Sequence, residues 1–93
     1  MSTQAATPKY RLDPHARFRV MDDEGIFVLQ EAGEVLVVNR VGAFIVQQLE
    51  VPRGLDELTD AITARFEVDG DRARADANSL LEALLEAGAI SEA

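Results

Sequence analysis

Ninety-three residues are enough for one domain, and with 47% hydrophobic and 28% charged residues the chain is too apolar to be disordered. The absence of cysteine excludes disulfides, thiolate metal sites and a cysteine nucleophile, and a single histidine, His15, leaves no multi-histidine site. The net charge of −8 is unevenly spread, because Lys9, Arg11, Arg17 and Arg19 outweigh Asp13, so the chain beyond Arg19 is strongly acidic, which argues against nucleic acid and anionic lipid.

Met1–Lys9 is small, polar and aperiodic and reads as a flexible tail, with order beginning around Tyr10 or Leu12. It lacks the apolar run of a signal peptide, and no stretch is apolar for long enough to span a bilayer, so a cytoplasmic protein is expected. Asp13-Pro14-His15 reads as a turn, since proline fixes its own φ and pushes the preceding residue extended. Strict alternation in Arg17-Phe18-Arg19-Val20 predicts a half-buried first strand. Asp22-Asp23-Glu24-Gly25 is a turn cluster in which Gly25 is expected to supply a positive φ. Ile26–Leu29 is a second, deeper strand, Glu31-Ala32-Gly33 turns the chain again, and Val35–Val38 is the third. Loops this short predict an antiparallel three-stranded meander.

The apolar period then becomes helical. Asn39 is placed to cap a first helix whose inner face is Val41, Phe44, Ile45 and Leu49, with Gln47 and Gln48 outside. Val51-Pro52-Arg53-Gly54 ends it. A second helix carries Leu55, Leu58, Ile62 and Phe66 on one stripe, with Asp56, Glu57 and Asp60 near its positive end. Val68-Asp69-Gly70 breaks that helix. A third runs from about Asp71 to Ala87, burying Ala73, Ala77, Leu80, Leu81 and Leu84, with Gly88 as a left-handed cap and Ile90 returning to the core. Three strands followed by three helices predict an α+β domain, and the last two helices have a helix-turn-helix look.

No catalytic constellation emerges. Adjacent acids such as Asp22/Asp23 and Asp56/Glu57 fall in a turn and at a helix start, where solvation and capping account for them. Asp69, Asp71 and Asp76 lack the alternating oxygens and closing glutamate of a calcium loop. His15 beside Pro14 reads as a turn histidine. The glycines are scattered and form no phosphate cradle. Arg72 and Arg74 at the start of the third helix invite a DNA-binding reading, yet Asp71, Asp76, Glu82 and Glu86 share that helix and acids replace the expected backing cations.

The third predicted strand stands out because both of its faces are apolar. Alternation puts Leu36 and Val38 on one side and Val35 and Val37 on the other. An exposed apolar edge is a hazard unless it is covered. Either the tail or another strand covers it, or an extended peptide adds there as a further strand.

The run Gly33–Asn39, then Gly42-Ala43-Phe44-Ile45, Leu49, Leu55-Asp56-Glu57-Leu58, Ala64–Val68, Asp76, Leu80–Leu84, Gly88 and Ile90, resembles the PqqD-like family of RiPP recognition elements over about residues 11–91. The resemblance implies a winged helix-turn-helix, in which a three-stranded antiparallel sheet is followed by three helices. Residues 1–10 would form a flexible tail and residues 11–93 the peptide-binding domain. It also implies a non-catalytic role without cofactor or metal: holding the leader of a ribosomally made precursor peptide as an added strand, beside the third helix. The leader is then presented to a modifying enzyme, often a radical-SAM enzyme, or to a leader protease in lasso-peptide systems. Carried over residue by residue, the site comprises Val35, Leu36, Val37, Val38 and Asn39 for main-chain pairing. Arg72, Asp76, Ala77 and Leu80 lie on the facing helix, where Ala77 and Leu80 read equally well as core and Arg72 as a solvated charge. This chain has Leu36 where an aromatic is common, Val38 where leucine is usual, and Glu50-Val51 in place of the frequent Asp-Gly. The alternatives are a winged-helix DNA-binding regulator, opposed by the charge, and a small subunit that only stabilises a partner enzyme.

Overall fold

The computed structural model describes residues 8–29 and 33–93. Its elements in chain order are β1 (Lys9–Leu12), β2 (Ala16–Met21), β3 (Glu24–Leu29), β4 (Glu34–Val38), α1 (Arg40–Gln48), β5 (Arg53–Gly54), α2 (Leu55–Arg65), α3 (Gly70–Ala87) and β6 (Ile90–Glu92). The expected meander is the antiparallel sheet β2-β3-β4. Its register aligns Phe18 with Phe27 and Phe27 with Leu36, so these side chains share the face turned towards the helices. Phe18 and Phe27 pack as a tilted pair with centroids 4.8 Å apart. The opposite face carries Arg17, Val28 and Val35 in one row and Arg19, Ile26 and Val37 in the next.

Phe27 from the sheet, Ile45 and Val46 from α1 with Leu49 at its C-cap, Leu58 and Ile62 from α2, and Leu81 and Leu84 from α3 form one core. Each large apolar side chain buried there contributes roughly 1.5–3 kcal/mol. Phe44 and Phe66 close its flank edge to face at 5.4 Å, and the guanidiniums of Arg40 and Arg65 lie over the Phe66 ring. Gly88 ends α3 with φ 79°, the left-handed conformation expected of it.

Nothing in the local pattern announces β1, β5 and β6. They are two to four residues long and make a second antiparallel sheet, β5-β1-β6, from segments distant in sequence. Tyr10 pairs with Arg53 on one side and Glu92 on the other, and Leu12 pairs with Ile90. Lys9 and Tyr10 are therefore strand residues rather than tail, because both neighbours offer backbone partners and Tyr10 and Leu12 reach the core. Residues 1–7 of the expected tail, and Glu31 and Ala32 of the expected turn, lie outside the described residues. Glu57 joins this sheet to α2. Its carboxylate accepts from the Gly54 N–H at 2.8 Å and lies 3.5 Å from Nζ of Lys9. The backbone hydrogen bond first, then the Lys9 charge, hold its pKa below the ordinary carboxylate value. The stability it contributes is present above that ordinary value and is lost as pH falls through the lowered one.

One turn differs from expectation. The positive φ between β2 and β3 belongs to Asp22, at 57°, whereas Gly25 lies in β3. Its missing side chain answers a packing need: a Cβ there would stand 2.5 Å from the Phe18 ring and 2.8 Å from Val38. No helix among the described residues is long and apolar enough to cross a membrane.

Candidate peptide-binding groove

The last residues of β4 and the first turn of α1 are built together. Val38 ends the strand, and the Asn39 side-chain oxygen accepts from the Gly42 N–H at 2.9 Å, satisfying a donor that the helix start would otherwise leave unpaired. The chain can reverse this tightly because residue 42 is glycine. A Cβ there would meet Val38 Cβ at 2.9 Å and Leu80 Cδ2 at 3.5 Å, so Gly42 is the point where strand, first helix and third helix converge.

β4 pairs with β3 on one side, and among the described residues no strand pairs with its other side. The strand Lys9–Leu12 does not cover that edge, since β1 is engaged in the second sheet. Beside the edge runs an open groove of about 670 Å³. Val37, Val38 and Asn39 form one wall, Val41, Gly42 and Ile45 of α1 line it, and Arg72, Asp76, Ser79 and Leu80 of α3 form the other wall. Arg72 Nε lies 3.6 Å from Asp76 Oδ2 on the helix surface, both side chains largely in solvent. The groove thus joins an apolar base to a charged rim.

Six of the nine residues anticipated from sequence line this groove: Val37, Val38, Asn39, Arg72, Asp76 and Leu80. Three lie elsewhere. Val35 is exposed on the outer sheet face, Leu36 packs inward against the core beside Phe27, and Ala77 is fully buried. Val41, Gly42, Ile45 and Ser79 also line the groove and have no anticipated role in binding. Val41 and Ile45 carry the same periodic signal as core residues, so only the placement of α1 against β4 distinguishes a groove wall from a core contact.

Arg74, the other cation at the start of α3, is paired with Asp56 of α2. Both arginines of that helix are therefore engaged by carboxylates.

A solved structure of TbiB1 in complex with the TbiA(beta) leader peptide is similar to this chain. The two are 25% identical with a TM-score of 0.79, and the match covers 87% of this chain and 94% of that one. No curated protein matches the sequence. The family model for coenzyme PQQ synthesis protein D matches residues 11–90. With nearly all of the described fold inside that match, the chain belongs to the PqqD family.

Proposed function

We propose that this protein captures the leader of a ribosomally made precursor peptide as an extended strand added to β4, and presents it to a separate modifying enzyme. The observation that carries this reading is the one-sided pairing of β4, among the described residues, beside an open groove. Main-chain donors and acceptors along that edge pair with any extended peptide, while alternate peptide side chains enter the space between β4, α1 and α3 and confer selectivity. The similar TbiB1 structure, solved with a leader peptide, supports the same reading.

In this reading the domain that begins with β1 at Lys9 is the working unit, a winged helix-turn-helix turned to peptide binding. It acts in the cytoplasm without turnover or cofactor, and its partner is a radical-SAM enzyme or a leader protease. Val35–Asn39 supply the backbone, Leu80 contributes to the apolar wall and Ala77 supports it from beneath. Arg72 exchanges its bond to Asp76 for an acidic leader side chain at little cost, because an exposed i,i+4 pair is worth only about 0.3–0.5 kcal/mol. The DNA-binding alternative loses ground, since Arg72 and Arg74 already face carboxylates.

Titration of the protein into the labelled leader of its own precursor should give one peptide per domain. Ordering a flexible peptide costs on the order of 2–5 kcal/mol, so a Kd of about 1 μM is expected. Absence of leader binding together with salt-sensitive retardation of duplex DNA contradicts the proposal.

A further inference from the structure

The outer face of the β2-β3-β4 sheet has a composition that water alone does not explain. A sheet face left to solvent is ordinarily polar. Here Met21, Val28, Val35 and Val37 are all exposed on that side, and half-buried Ile26 lies among them. Arg17 and Arg19 flank this strip from β2, and neither has a carboxylate within ion-pair distance among the described residues. That is notable in a chain with 17 acidic residues. Contiguous exposed apolar surface of this kind marks an interaction site.

Charge and position together select the occupant. Two guanidiniums that no carboxylate among the described residues engages, set beside an apolar centre, complement a surface whose own apolar patch is rimmed with carboxylates. A second copy of the chain is disfavoured by self-repulsion at a net charge of −8. Val35 and Val37 belong to β4, and a peptide strand laid on its edge extends the same face with its own outward side chains. A protein docked there touches the domain and the bound peptide at once. We propose that this face docks the enzyme that acts on the bound precursor, through an apolar patch bordered by acids. The inference rests on the strand-addition reading above.

The test uses Arg17→Glu combined with Arg19→Glu, and separately Val28→Thr, with the enzyme that acts on the chain's own precursor peptide as the probe. Both variants should bind the leader as the parent protein does. Affinity for the enzyme should fall about tenfold or more in the charge reversal and severalfold in Val28→Thr. The milder Arg17→Gln, Arg19→Gln pair, which adds no new charge, should weaken the enzyme complex in the same direction and serves if the reversal fails to fold. Unchanged enzyme affinity in all variants overturns the docking face and leaves the peptide reading standing. Loss of leader binding in variants that remain folded overturns it by giving the face to the peptide. Parent protein that dimerises through Val28, or retards duplex DNA through Arg17 and Arg19, overturns it in favour of those occupants. A parent protein that binds enzyme at this face yet ignores the leader supports the docking face and removes the strand-addition reading.

Discussion

Gly25 and Gly42 both leave room for Val38 at the end of β4. Gly25 leaves room for the Phe18 ring and for Val38, and Gly42 lets the start of α1 touch the end of the strand. Replacing Gly42 by alanine sets two effects against each other. Helix propensity favours alanine by about 1 kcal/mol in a helix interior, but residue 42 lies in the first turn, where the gain is smaller. The new methyl group would stand 2.9 Å from Val38 Cβ, an atom fixed close to the backbone, and overpacking of that kind costs about 1–3 kcal/mol. The clash should win. Gly42→Ala is expected to lower stability in urea titration by about 1 kcal/mol and to weaken leader binding as well, because it lines the groove. Unchanged stability and affinity would show that strand and helix part without consequence. Asn39 was legible as a cap because its bond is local, made to a backbone group three residues on. The reason for Gly25 was not legible, since its crowding comes from two other strands.

The same distinction between local and distant causes governs the elements. The double apolar character of β4 is visible in Val35–Val38 themselves, and the structure places Val35 and Val37 at 60% and 61% exposure while Leu36 and Val38 pack inward. Exposed threonine retains the branched geometry that suits a strand, so Val35→Thr with Val37→Thr should change stability by less than about 1 kcal/mol. The pair should nevertheless lower leader affinity about tenfold, because Val37 lines the groove and both residues adjoin the pairing edge. Parallel thermal melts and peptide titrations separate these effects. A double variant that unfolds would assign both valines to the core. In contrast, β5 consists of two residues inside a turn-like Val51–Gly54 segment, and β6 of three residues near the end of the chain. Their pairing with β1 depends on partners some forty and eighty residues away, which periodicity does not sense. Ala77 shows the limit on the helices, since core and ligand contact call for the same small apolar residue.

Across the whole molecule, the two sheets divide the labour. The sheet of β5, β1 and β6 brings segments from both ends of the described chain together, with Lys9–Leu12 as its central strand. Among the described residues, the sheet of β2, β3 and β4 is left with one edge beside the groove and one face towards solvent. A bound leader would make that sheet four-stranded, and its protection from exchange should follow this geometry. Amide hydrogen exchange with and without the leader of the chain's own precursor therefore tests the central claim most directly. Added protection is expected along Val35–Asn39 and the start of α3, with α2 largely unchanged. Protection concentrated on α2 and the α2–α3 turn, with β4 exchanging as before, would contradict strand addition.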